Sequence, residues 1–278
     1  MTPSDPRERF SGRVEAYVRA RPGYPAGMIP LLRKEAALAP SDAVADVGSG
    51  TGILSLPFLR FGNRVFAVEP NAGMRAAAED LLGAEPSWRS VDGSAEATTL
   101  APGSVDFVAA GQAFHWFDRE RARREFGRIL RPPRRVVLVW NDRRTEGSVF
   151  SEGYEALLRR HGTDYRAVDH KNLAPADFDA FFRPGKWRLF TLPNAQELDR
   201  EALVARLVSS SYTPPPGDPR HEAMLEDLEA LLRASAREGI VRMEYETKIY
   251  VGSVEAAPDG SDARRESERP AAPGGFRG

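Results

Sequence analysis

Between residues 42 and 140, short apolar runs alternate with helical stretches, and few architectures accommodate that rhythm. The runs are Ala43–Val47, Val65–Glu69, Trp88–Val91, Val105–Ala110 and Arg135–Trp140. Between them lie Ile53–Phe61, Ala72–Leu82 and Arg119–Leu130. Met74, Ala78, Leu81 and Leu82 fall at helical spacing, as do Ala122, Phe126, Ile129 and Leu130. Strands that return through helices use right-handed crossovers, so the pattern predicts an α/β fold with a parallel sheet covered on both faces. Pro57 sits near the first turn of its helix, where a missing N–H is tolerated.

After Trp140 the rhythm changes. Helices are expected near Phe150–His161, Gln196–Ser209 and His221–Ala236, around strand-like runs at Trp187–Leu192 and Val241–Val251. The last run is long and aromatic, which suits an antiparallel strand closing the sheet. The segment 256–278 is Pro, Gly and charge with little to bury, and is expected to be disordered.

The quoted stretch "DVGSGTGILS", Asp46 to Ser55, follows the first run directly. A strand, a glycine loop and a helix N-terminus together present bare backbone N–H groups at the sheet's carboxyl edge, where open α/β sheets bind nucleotide-like ligands. Gly48, Gly50 and Gly52 read G-x-G-x-G; a dinucleotide fingerprint would place glycine where Ile53 stands. Glu69 ends the second run about 20 residues on, the offset at which a carboxylate meets ribose hydroxyls.

Other chemistries fail on composition or spacing. Lys plus Arg number 39 and Asp plus Glu 40, a net charge of −1 with no global pull toward nucleic acid or anionic membrane. The absence of cysteine excludes disulfides and thiolate metal sites. No apolar stretch reads as a leader or a membrane span, so a soluble, cytoplasmic protein is expected. Ser49 is no nucleophile elbow, since Val47 and Thr51 flank it where glycines belong. The four histidines show no metal-motif spacing, and no metal is expected. Arg121, Arg124 and Arg128 share a helix face with Glu120 and Glu125 interspersed, which reads as a solvated face.

"GQAFHWFD", Gly111 to Asp118, follows the fourth run and faces the glycine loop. Aromatic faces attract cations, so Phe114, Trp116 and Phe117 suit a site for a positively charged ligand, or else cap the sheet as core. His115 is the candidate catalytic residue, since an imidazole can act as acid or base near neutral pH.

In order, "DVGSGTG", "VEPNAGM" and "GSAEATTLAPGSVDFVAAGQAFHWFD" resemble the successive motifs of class I S-adenosylmethionine (SAM)-dependent methyltransferases. The upstream "FSGRVEAYVRARPGYP" is similar to the start of a small-molecule branch described as trans-aconitate methyltransferase-like. The resemblance spans residues 7 to 254 and implies a Rossmann-like three-layer sandwich. Its mostly parallel seven-stranded sheet would have order 3-2-1-4-5-7-6 with strand 7 antiparallel. It implies one domain over 1–255: an N-terminal helical lid (1–40), a SAM-binding half (41–140) and a substrate-side half (141–255).

Carried over by position, Asp46, Gly48, Ser49, Gly50 and Gly52 would cradle the methionyl part of SAM. Glu69 and Pro70 would lie at the ribose, and Met74 at the adenine or simply in the core. Ser94, Ala95 and Glu96 would meet the adenine edge, through side chains or backbone, although the commoner pattern has Asp where Ser94 stands. Gln112 completes the expected cofactor set, and Asp46 could equally organise the loop. Acceptor contacts are expected from Tyr17, Tyr24, Trp116 and Asn141, with Arg21, Arg143, Ser211 and Tyr212 nearby. The implied activity is methyl transfer to an oxygen of a small molecule, releasing S-adenosylhomocysteine, by a monomer or homodimer. Two rivals stand beside it: a SAM-binding protein that does not methylate, and a nicotinamide-dependent dehydrogenase. Nucleic-acid methylation is disfavoured, because no Asn/Asp-Pro-Pro-aromatic motif follows the fourth run to grip a flipped base.

Overall fold

A computed structural model describes residues 21–163, 165, 173–183, 185–210 and 212–255. Tyr17, Ser211 and the segment expected to be disordered lie outside these residues.

The first half follows the sequence rhythm. Helix α1 (Met28–Ala36) precedes β1 (Ala43–Val47), α2 (Ser55–Phe61), β2 (Arg64–Val68), α3 (Ala72–Leu82) and β3 (Trp88–Val91). Next come β4 (Val105–Gly111), a 3₁₀ turn (Phe114–Trp116), α4 (Arg119–Ile129) and β5 (Leu130–Arg143). The second half comprises α5 (Val149–His161), α6 (Pro175–Phe182), β6 (Arg188–Leu198), α7 (Arg200–Val208), α8 (Pro219–Ser235) and β7 (Val241–Ser253). The strands form one sheet in the order β3-β2-β1-β4-β5-β7-β6. β7 runs antiparallel to both β5 and β6, while the pairs from β3 to β5 are parallel.

Period-two alternation divides the buried strands between two cores. Ala43, Ala45 and Val47 of β1 pack with Phe114, Phe126 and the α6 phenylalanines, whereas Val44 packs with Met28, Leu32 and Phe58. β5 divides likewise, with Val136, Leu138 and Trp140 on one side and Val137 and Val139 on the other. A third cluster joins α5, α7 and α8 to the start of β7.

One expectation is corrected, and one helix is new. Gln196–Leu198 is strand rather than the start of a helix, because β6 pairs with β7 through Leu198↔Val241 and α7 begins only after the Asp199 N-cap. β6 is the sheet's edge, the place where Pro193 can sit within a strand. Helix α6 was not read from the sequence at all. Its Phe178, Phe181 and Phe182 are buried in the first core, and Phe178 stacks on Tyr250 at 4.2 Å.

The order of strands reverses between β1 and β4, so a crevice opens beyond their carboxyl ends. The loop after β1 enters it through Gly48, Gly50 and Gly52, all at positive φ. At Gly52, φ is 82° and a Cβ would stand 2.4 Å from the Leu82 side chain of α3. Gly52→Ala is therefore expected to cost about 1–3 kcal/mol through backbone strain and overpacking. Equilibrium urea unfolding reads this, and an unchanged midpoint would contradict it.

Candidate active site

β1 and β2 end side by side, and the glycine loop is fastened to the end of β2. The N–H groups of Gly48 and Ser49 both donate to the Val68 carbonyl, at 2.8 and 3.2 Å. The Glu69 carboxylate accepts from the Gly50 N–H at Oε2 (2.9 Å) and from the Asn71 N–H at Oε1 (2.8 Å). Burial raises the Glu69 pKa, while the two N–H groups and the Arg75 charge pull it down. Each carboxylate oxygen thus uses one acceptor direction on the loop and keeps another, the number a vicinal diol needs.

Glu69 opens onto a cavity of about 410 Å³, within the range of small-molecule sites. The cavity brings together most of the residues expected at the cofactor. Gly48, Gly50, Pro70 and Met74 line one side; Ser94, Ala95, Glu96 and Gln112 line another. Ser94 and Ala97 exchange backbone hydrogen bonds in a tight turn, and Glu96 Oε1 accepts from the Asp118 N–H, tying that turn to the start of α4. Trp116 is also on this wall, with Phe117, and so lies apart from the other expected acceptor residues. Arg121, read as part of a solvated face, reaches the rim as an exposed side chain. Gly52 lines no cavity described, since its place is against Leu82.

A second cavity of about 40 Å³ shares Gly48, Gly111 and Gln112 with the first. Asp46, Ser49 and Thr51 stand on its wall, all buried. Asp46 Oδ2 accepts from Ser55 Oγ at 2.7 Å, but Asp46 Oδ1, Ser49 Oγ and Thr51 Oγ1 have no partner among the described residues. Three buried polar atoms left unsatisfied around one small cavity are costly unless a ligand's groups meet them. They supply an acceptor and two hydroxyls, a set suited to an amino-acid group with its ammonium and carboxylate. Thr51 lies within the quoted glycine motif but was not singled out from sequence.

Tyr24 and Arg21 close this cavity from the N-terminal side. The strap they belong to is held by Gly23, whose carbonyl accepts from Asn194 Nδ2 (2.8 Å) and Asn141 Nδ2 (3.2 Å). Asn141 Oδ1 in turn accepts from Thr247 Oγ1 (2.6 Å) and Asn194 Nδ2 (3.1 Å). Asn141 lines the cavity, and its amide is engaged in this latch. Gln112, at a φ of 56°, accepts from the Asn141 N–H through Oε1. Strain of that kind gathers at functional sites.

The aromatic cluster divides. Phe114 is fully buried and meets Phe181 edge-on at 4.6 Å, so it is core. His115 packs beside Trp116 with ring centres 4.8 Å apart and is on the wall of neither cavity. The turn sends Phe114 into the core and Trp116 to the larger cavity, and leaves His115 off both. Among the described residues no cluster of His, Asp and Glu could hold a metal ion, and no helix is long and apolar enough to cross a membrane.

Burial raises Asp46 from its ordinary value of 3.8 to about 7, against the pull of the Ser55 hydrogen bond and with the Glu69 charge adding to the rise. The folded protein therefore holds this proton more tightly than the unfolded chain, and stability is lost as pH rises from about 4 through about 7. Asp46→Asn keeps an acceptor for Ser55. It is expected to raise the melting temperature by several degrees at pH 8 and to leave it nearly unchanged at pH 4. Equal effects at both values, by calorimetry, would contradict a titrating Asp46.

Comparison with known proteins gives the same direction. Residues 45–138 match the family model described as a methyltransferase domain. An uncharacterized methyltransferase of Mycobacterium tuberculosis is 41% identical over 204 residues, 73% of this chain and 76% of that protein. An uncharacterized methyltransferase-like protein of Schizosaccharomyces pombe is 34% identical over 256 residues, 89% of this chain and 96% of its own length. A solved structure of a candidate type II methyltransferase from Anaeromyxobacter dehalogenans superposes with a TM-score of 0.60 at 25% identity, covering 85% of this chain and 99% of that one. A candidate methyltransferase of an antibiotic biosynthesis pathway from Anabaena variabilis shares the fold, with a TM-score of 0.57 at 23% identity over 84% of this chain and 98% of that one. With this sheet order, and with a crevice suited to a ribose and an amino-acid group, the chain belongs to the class I methyltransferases and its cofactor is S-adenosylmethionine.

Proposed function

We propose that this methyltransferase acts on an oxygen atom, carboxylate or hydroxyl, of a small-molecule acceptor. The observation that carries the reading is the enclosure of the smaller cavity. Tyr24 and Arg21 lie over it, and the Asn141–Asn194 latch fixes their strap to β5 and β6. A strap held over this end of the cofactor site leaves an approach that suits a small molecule and not a polymer or a duplex.

SAM supplies a methyl group on a sulfonium, already a strong electrophile. Glu69 would take the ribose hydroxyls on its two remaining acceptor directions. Asp46 Oδ1 would accept from the ammonium, and the Ser49 and Thr51 hydroxyls would donate to the carboxylate. Met74, Ala95, Trp116 and Phe117 would line the adenine. Tyr24 and Gln112 would then bound the acceptor's approach. The bound cofactor would supply its methyl group to the acceptor oxygen, with the electron pair of the methyl–sulfur bond left on sulfur. The protein's contribution is alignment of acceptor oxygen, methyl carbon and sulfur, an effect that can supply much of the barrier reduction.

A carboxylate acceptor is ionised at neutral pH and needs no base. A hydroxyl gives up a proton, and a general base there is worth about 10²–10⁴-fold. His115 was the residue expected in that role, and its place off both cavity walls does not favour it. The reading therefore rests on proximity.

Glu69→Ala is expected to weaken SAM binding by about tenfold to a hundredfold, through loss of charge-assisted hydrogen bonds and of the loop's tie at Gly50. Calorimetric affinity equal to wild type would remove Glu69 from the ribose. Once an acceptor is in hand, His115→Ala is expected to lower kcat far less than the loss of a general base would. A fall of a hundredfold or more, with SAM affinity intact, would restore His115 to the mechanism.

A further inference from the structure

Gln112 directly follows β4 in a left-handed conformation, and two bonds hold it against β5. Its backbone N–H donates to the Val139 carbonyl at 2.9 Å, and its Oε1 accepts from the Asn141 N–H at 3.2 Å. A backbone N–H can only donate, so it fixes the side-chain amide with oxygen toward β5 and Nε2 turned away. Among the described residues no acceptor meets Nε2.

The place of this amide is specific. The two cavities share Gly48, Gly111 and Gln112 and no other described residue. Two of the three are glycines, so Gln112 carries the one side chain at the junction. A ligand with its ribose at Glu69 and its amino-acid group at Asp46 passes this junction, with its methyl-bearing sulfur between the two. The Tyr24 hydroxyl reaches the same ground, since a Cβ on Gly111 would stand 2.2 Å from it.

We propose that Gln112 selects oxygen over nitrogen at the methyl acceptor, by donating from Nε2 to the atom that receives the methyl group. The inference rests on the oxygen reading above. An oxygen atom accepts from Nε2 on one lone pair and takes the methyl group on another, with the electron pair of the methyl–sulfur bond left on sulfur. An ionised oxygen has no proton to lose and needs no base. A neutral amine has a single lone pair, which cannot serve both purposes. Its N–H groups would also meet a donor where they need acceptors. The nearby carboxylates do not supply them. Asp46 and Glu69 are committed on this reading to the cofactor, and Glu96 and Asp118 belong to the turn at the adenine end.

Gln112 and Gln196 are the two glutamines of the sequence, so nuclear magnetic resonance of the full chain, isotope-labelled at its glutamine amides, shows two side-chain NH₂ pairs. Gln196, on β6, is the internal control. The protein is saturated with S-adenosylhomocysteine and titrated with sodium acetate or with methylammonium chloride. Acetate is expected to shift the Gln112 pair saturably and to leave the Gln196 pair in place, and methylammonium to shift neither. Turnover of SAM with small carboxylic acids, each set against the amine of the same carbon skeleton, gives a second reading. Gln112→Glu keeps an acceptor for the Asn141 N–H but replaces the donor by a carboxylate oxygen. It is expected to lower the acid-to-amine ratio of kcat/KM by about tenfold to a hundredfold, with S-adenosylhomocysteine bound as in wild type. A Gln112 pair that acetate leaves unmoved, an equal response to methylammonium, or an unchanged ratio in Gln112→Glu overturns the proposal, even where acids remain the better acceptors. A wild-type preference for the amines would overturn the oxygen reading beneath it as well.

Discussion

One buried carboxylate holds the functional end of this protein together. Glu69 directly follows β2, and its oxygens fasten the N–H of Gly50 in the loop after β1 and the N–H of Asn71 at the start of α3. The parallel pairing of β1 with β2 places the two strand ends close enough for this bond to form. Through it the glycine loop, the first helix turn and the wall of the larger cavity share one geometry. The same pairing sets Asp46 near Glu69, and burial raises the pKa of both carboxyl groups. A cationic cofactor favours their ionised forms, so the site is built at a cost that binding offsets.

The three glycines serve different ends. At Gly48 an added Cβ would meet Ala113 at 2.7 Å, so bare backbone lets the loops after β1 and β4 approach each other. Gly50 presents its N–H to Glu69 on the cavity wall, and Gly52 lets α3 pack close. Only the middle one owes its place mainly to the ligand side. The polar atoms left without partners at Asp46, Ser49 and Thr51 complete the picture, since unsatisfied buried groups mark a place where a ligand's own groups belong.

Much of this was legible in the chain. Five parallel-sheet strands and their helices follow from apolar periodicity, because buried strands and amphipathic helices differ in period. The full strand order came through the resemblance of the motifs and not from spacing. α6 escaped because an eight-residue helix with Pro175 at its start gives too few turns to show a stripe. The extension of β6 escaped because an edge strand alternates weakly between exposed and half-buried positions. Within the site, motif positions such as Glu69 and Met74 could be placed on a cavity in advance. Asn141 could not be read as a latch, since its partners Gly23, Asn194 and Thr247 are 118, 53 and 106 residues away.

A crystal structure with S-adenosylhomocysteine bound tests the central claim most directly. The account predicts both ribose hydroxyls within hydrogen-bond distance of the Glu69 carboxylate, with the Gly50 and Asn71 bonds retained. It also predicts the amino-acid group at Asp46 Oδ1, Ser49 Oγ and Thr51 Oγ1. A ligand whose ribose lies away from Glu69, or whose amino-acid group leaves those three atoms unpaired, would contradict it.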